Sequence, residues 1–119
     1  MDQPKVCSVL VAALGGEGGG VLADWLVGCA RQAGLAVQAT SVPGLAQRTG
    51  ATSYYIEFVV QPLAAHQPAP VFALSPMPAQ VDVVVASELL EAARMMERGF
   101  VTPQKTCLIA SPSRVYTTH

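Results

Sequence analysis

Apolar residues along this chain follow first a continuous run, then a helical period, then an alternation, and these changes of period mark out its elements. Lys5 to Ala13 alternates little and is rich in Val, Leu and Ala, which predicts a strand buried on both faces of a parallel sheet. Val21, Leu22, Trp25, Leu26, Cys29, Ala30 and Ala33 then recur at helical spacing with Asp24, Arg31 and Gln32 opposite, and Gly34 supplies a stop. Leu35 to Val42 forms a second strand, ended by the turn signal Pro43-Gly44. Thr52 to Val60 alternates, with Tyr54, Ile56 and Phe58 on one face and Tyr55, Glu57 and Val59 on a second, more exposed face. Gln61 to Gln80 carries Pro62, Pro68, Pro70, Pro76 and Pro78, too many for regular helix or central strand, so only Val71-Phe72-Ala73-Leu74 could pair there. Val81 to Ala86 returns to a buried strand. Ser87 is then placed to cap a helix running to Arg98, with Glu88, Arg94, Arg98 and Gly99 in agreement with dipole and capping rules. Thr102-Pro103 breaks the chain before a last strand, Thr106 to Ser111, and Ser113 to His119 carries no stop signal.

Strands and helices joined in this order by short connections predict an α/β fold, three-layer, with a mainly parallel sheet and Rossmann-like, right-handed crossovers. The 119 residues form one domain, large enough for a single core but small for a complete enzyme. Because nothing in the sequence covers the sheet after its last strand, the chain reads as the N-terminal portion of a longer polypeptide.

Between the first strand and the first helix lies Leu14-Gly15-Gly16-Glu17-Gly18-Gly19-Gly20, which holds half of the chain's 10 glycines. Glycine allows positive φ and close approach of a ligand to the backbone, and a helix N-terminus offers unpaired N–H groups to an anion. Gly15, Gly16, Gly18 and Gly19 are therefore the candidate ligand-contacting residues. The spacing is not that of a nicotinamide fingerprint: Ala13 stands where the first glycine of GxGxxG belongs, and the second strand ends Ala39-Thr40-Ser41-Val42 with no acid for the ribose. No Lys follows the glycines, so a P-loop fails too. A turn serving only tight strand–helix packing accounts for the same residues. Glu17 would repel a phosphate but complement the helix N-terminus, and the second role is preferred.

Gln47-Arg48-Thr49-Gly50 follows a strand's carboxyl end, where ligands of open α/β sheets bind, and Arg48 could pair a carboxylate or phosphate bidentately. A solvated loop is the competing account. Tyr54 and Tyr55 read as strand packing. Charge is sparse and nearly balanced, net −1, which argues against a nucleic-acid binder. No apolar run approaches the roughly 20 residues of a membrane span, and the N-terminus opens no secretory signal, so a cytoplasmic location is expected. Cys7, Cys29 and Cys107 are far apart within apolar segments and read as small buried hydrophobes. Neither they nor His66 and His119 suggest a metal site, and there is no Ser-His-Asp arrangement or nucleophile elbow.

Two separated stretches carry a resemblance. Ala-Leu-Gly-Gly-Glu-Gly-Gly-Gly-Val-Leu-Ala-Asp-Trp-Leu from Ala13 and Ser-Val-Pro-Gly-Leu-Ala-Gln-Arg-Thr-Gly-Ala-Thr-Ser-Tyr-Tyr from Ser41 are similar to the gamma-type domain of 2-oxoacid:ferredoxin oxidoreductases. The likeness is strongest to the beta subunit of indolepyruvate oxidoreductases, and it continues through the stretch from Val81 to Ala92 and through Leu108 to Ser111. The family loop reads Gly-x-Gly-Gly-Gln-Gly, whereas this chain has Ala13 and Glu17 in place of the first Gly and the Gln. Those departures resemble a longer variety of that beta subunit.

The resemblance implies an accessory subunit or domain of an indolepyruvate-type enzyme that oxidatively decarboxylates a 2-oxoacid to an acyl-CoA and passes electrons to ferredoxin. Thiamine diphosphate and iron-sulfur clusters would then belong to a large partner subunit, and coenzyme A to the complex. The isolated chain would be inactive, with no catalytic residue of its own. Arg48, with Gln47 and Thr49, would touch a coenzyme A phosphate, the substrate carboxylate or the partner. Two other functions fit the same residues: a free-standing nucleotide- or flavin-binding module, and a purely structural assembly domain.

Overall fold

A computed structural model describes residues 4–14, 18–42 and 51–112 of the chain. Its elements are β1 (Val6–Leu14), α1 (Gly19–Gln32), β2 (Val37–Ser41), β3 (Ala51–Val59), β4 (Val83–Ala86), α2 (Leu89–Glu97) and β5 (Cys107–Ala110). The strands form one sheet in the order β2-β3-β1-β4-β5. β1 pairs with β4 and β4 with β5 in parallel, whereas β3 is antiparallel to both β1 and β2. Because β3 opposes both its neighbours, β2 points the same way as β1, β4 and β5, and among the described strands β3 alone is reversed. Its reversal has a simple cause. Only residues 42–50 separate β2 from β3, fewer than the dozen or so a parallel crossover requires.

The continuous apolar run of β1 is explained by its central position. Leu10 and Ala12 point into one cluster with Tyr55, Val81, Val84, Met95 and Phe100, while Val9 and Val11 join Ala23 and Ile56 in another. Met95 belongs to α2 and Ala23 to α1, so the helices cover opposite faces and the fold has three layers, as the sequence pattern predicts. Tyr54, Ile56 and Phe58 face the α1 side. The other face of β3 is less open than its alternation suggests, since Tyr55 and Val59 are buried.

Part of that cover is the proline-rich connection from β3 to β4. Residues 71–74 form no strand; they are hooked to the sheet by side chains instead. The Ala73 N–H donates to Glu57 Oε1 (2.8 Å), Thr40 Oγ1 donates to the Leu74 carbonyl (2.7 Å), and Gln38 Nε2 donates to the Ala73 carbonyl (3.3 Å). Glu57 also accepts a hydrogen bond from the Tyr55 hydroxyl.

Both helices stop as their glycines predict. Gly34 has φ 76° and Gly99 φ 82°. Leu35 N–H bonds the Ala30 carbonyl and Gly34 N–H that of Arg31; Phe100 and Gly99 repeat the pattern on Met95 and Met96. The start of α2 differs from expectation. Its N-cap is Glu88, one residue later than expected, extended and without a side-chain cap, and the Ser87 N–H still continues the sheet by bonding the Ala12 carbonyl (3.0 Å). The cysteines differ as well: Cys7 is half-buried, but Cys29 and Cys107 are exposed, one on α1 and one on an edge strand. Among the described residues no helix is long and apolar enough to cross a membrane.

Candidate functional site

The two crossovers leave the centre of the sheet in opposite directions. β1-α1-β2 leads one way, passing over β3, and β4-α2-β5 leads the other. The strand order therefore reverses between β1 and β4, and in open α/β sheets the crevice beyond the carboxyl ends at such a point is where ligands bind. Here it lies between the glycine-rich turn after β1 and the Ser87-Glu88 turn after β4. Ser87 ties the two strand ends together through its bond to Ala12, and Ser111 N–H extends the ladder to Ala86 (3.0 Å).

The structure divides the glycines of the turn by what they do. Gly18 is the N-cap of α1 at φ 81°, ψ 14°, a left-handed conformation that disfavours other residues, and a Cβ added there would meet nothing within 4 Å. It is the open point of the turn. Gly19 is buried, and a Cβ on it would come within 2.7 Å of the Ala13 Cβ, so glycine here lets the helix settle onto the strand. A Cβ on Gly20 would lie 3.1 Å from the Tyr54 hydroxyl, which places that tyrosine over the first turn of α1. Gly15, Gly16 and Glu17 lie outside the described residues, as do Gln47, Arg48 and Thr49. Backbone N–H groups at the start of α1 are what this side of the crevice offers an anion.

On the other side, α2 begins with two acids, of which Glu88 reads in the sequence as a complement to the helix dipole. Glu88 and Glu91 are both fully buried. The signal for this is present in their spacing, since Glu88, Glu91 and Met95 share one helical face and Met95 is a core residue.

At the opposite, amino end of the parallel strands lies a polar cluster that is structural. Asp82 Oδ2 accepts the Ser8 N–H (2.9 Å) and approaches Ser8 Oγ (3.2 Å), and Lys105 Nζ stands 3.2 Å from Oδ1. Burial pushes the Asp82 carboxyl up, but the Ser8 backbone bond and the Lys105 bond and charge outweigh it and hold the group below the usual range. The Tyr55 phenol is pushed well above its ordinary value, chiefly by burial and then by its bond to Glu57. The Cys7 thiol is raised by burial and by the Asp82 charge. Among the described residues no group of three or more His, Cys, Asp or Glu is arranged to hold a metal ion.

Comparison with known proteins agrees with this architecture. No curated protein sequence matches the chain. Among solved structures it is similar to a 2-oxoglutarate:ferredoxin oxidoreductase from Magnetococcus marinus, solved with 2-oxoglutarate, coenzyme A and succinyl-CoA bound, with a TM-score of 0.67 and 16% identity. That match covers 93% of this chain but 17% of the other, so the present fold corresponds to about one sixth of that polypeptide. The sequence itself matches a family model, that of pyruvate ferredoxin/flavodoxin oxidoreductase, over residues 8–117. On that match, spanning nearly all of its length, the chain belongs to the pyruvate ferredoxin/flavodoxin oxidoreductase family.

Proposed function

We propose that the chain is the accessory, gamma-type part of an indolepyruvate-type 2-oxoacid oxidoreductase, and that it completes an active complex without performing the chemistry alone. The observation that carries the reading is the glycine turn opening into α1 at the switch point of the sheet, in a chain whose sequence is similar to the beta subunit of these enzymes. Family membership supports the general reaction class. The aryl 2-oxoacid rests on the sequence resemblance of the stretches from Ala13 and Ser41. In this reading a large subunit holds thiamine diphosphate and iron-sulfur clusters and carries out decarboxylation and electron transfer to ferredoxin. The present chain contributes the Gly18 turn and the loop of Gln47, Arg48 and Thr49, which meet coenzyme A, the substrate carboxylate or the partner.

Co-expression with the large subunit tests this directly. Indolepyruvate- and coenzyme A-dependent reduction of a viologen dye is expected to need both chains. A large subunit equally active alone would sink the proposal and bring forward a free-standing nucleotide-binding module. Arg48→Ala then separates contacts: a coenzyme A phosphate contact raises the apparent KM for coenzyme A, an interface contact weakens assembly, and no change in either removes Arg48 from the site.

A further inference from the structure

The helix that follows the glycine turn is apolar on two sides. Buried Ala23 and Ala30, with Leu22 and Leu26, face the sheet. Val21 and Trp25, four residues apart, lie on the outer side, 51% and 68% exposed, and exposed Cys29 follows on the flank of the helix. The sequence predicts Val21, Trp25 and Cys29 on the inner face; the inner positions are filled by Ala23 and its neighbours, one step round the helix. Only Asp24 and Arg31 carry charge in the whole of α1. The helix therefore exposes apolar side chains beside Asp24, Arg31 and Gln32 as well as burying an apolar face against the sheet.

Gly28 adds an independent observation. Glycine in a helix interior is unfavourable, and it persists where something needs the room. At Gly19 that need is met within the chain by Ala13; at Gly28 a Cβ would meet nothing within 4 Å. Gly28 is three residues after Trp25 and seven after Val21, so it lies on the same outer seam. Beside that seam an apolar cavity of about 230 Å³, lined by Leu26, Cys29, Leu35, Ile56 and Phe58 among others, opens between α1 and the sheet.

We propose that the outer face of α1 seats an apolar helix of the large oxidoreductase subunit, which crosses α1 closely at Gly28, packs on Trp25 and places one apolar side chain in the cavity. The proposal rests on the reading that this chain works inside such a complex. The fold comparison favours this occupant over a second copy: in the Magnetococcus marinus protein the matching fold is 17% of one chain, so it is set within further oxidoreductase polypeptide. Asp24 and Arg31, four residues before and three after Gly28, border the seam on one side, so apolar Val21 and Trp25 have a polar rim beside them, as a protein interface does.

The test uses the full chain and the large subunit, with binding measured by sedimentation velocity and activity by viologen reduction. Gly28→Leu and Trp25→Ser are each expected to weaken association at least tenfold. Gly28→Ala is expected to weaken it less while leaving the thermal midpoint of the chain unchanged or higher, an outcome that loss of folding would not give. Leu89→Ser and Met96→Ser, at exposed apolar positions of α2, should leave association unchanged. Wild-type association that survives both α1 variants overturns the docking proposal and leaves the functional reading intact. A wild-type chain with no affinity for the large subunit overturns both. A homodimer of this chain that Gly28→Leu dissolves would assign the seam to a second copy and overturn the occupant proposed here.

Discussion

Gly18 and Gly19 are adjacent and chemically identical, yet the physics that requires glycine differs between them. At Gly18 the constraint is the backbone angle, and at Gly19 it is the 2.7 Å approach to Ala13. Gly18→Ala should therefore cost about 1–2 kcal/mol, the penalty of a left-handed residue, and Gly18→Asn should recover much of it because Asn tolerates that region. Gly19→Ala should cost about 1–3 kcal/mol through overpacking, with no relief from Asn. Urea unfolding of the four variants separates the two causes. Asp82 offers a test in pH. Its carboxyl has a lower pKa folded than unfolded, so its contribution is complete above the unfolded value and is lost as pH falls below about 4 through the folded one. Asp82→Asn should be less stable than wild type at neutral pH, and the difference should shrink on acidification; a constant difference would show that the ionised carboxylate does not anchor the start of β4.

Among the elements, what is legible in the sequence is what local chemistry decides. The two glycine stops, the faces of β3 and the lack of helix between residues 61 and 80 all follow from neighbours along the chain. The hooks on residues 71–74 are hidden because Glu57, Thr40 and Gln38 reach them from other strands and no periodicity marks the contact. Ser87 has the residue type of a cap, but the sheet ladder continues through its N–H to Ala12 of a distant strand and the N-cap position falls one residue later, at Glu88. Glu57→Ala should speed hydrogen exchange at the Ala73 amide and open the segment around fully exposed Val71 to proteolysis, at a cost to global stability of about 1 kcal/mol. Met95→Ala, which empties a fully buried position of α2, should cost about 2–5 kcal/mol by contrast. Equal global effects from the two would contradict the separation of strap from core.

At the scale of the molecule, the glycine turn can be read from sequence as a site, but its place at the switch point depends on strand order. That order sends β2 and β4 to opposite sides of β1, which periodicity does not encode. Pairing β1 with β3 along all of Val6–Leu14 sets the reversed strand beside the central one and carries the β1-α1-β2 crossover past it to the edge of the sheet. The outer seam of α1 is hidden in another way: a helical apolar period locates a face but not which of two apolar faces the protein keeps for itself. A further consequence concerns optical measurement. Trp25 is the chain's single tryptophan, and the folded chain leaves it 68% exposed. Its emission should therefore lie close to that of an indole in water both before and after unfolding, so it is a poor reporter of this fold. If a partner covers α1, the same residue will shift to the blue only on assembly, and one spectral line will record complex formation almost free of background from folding.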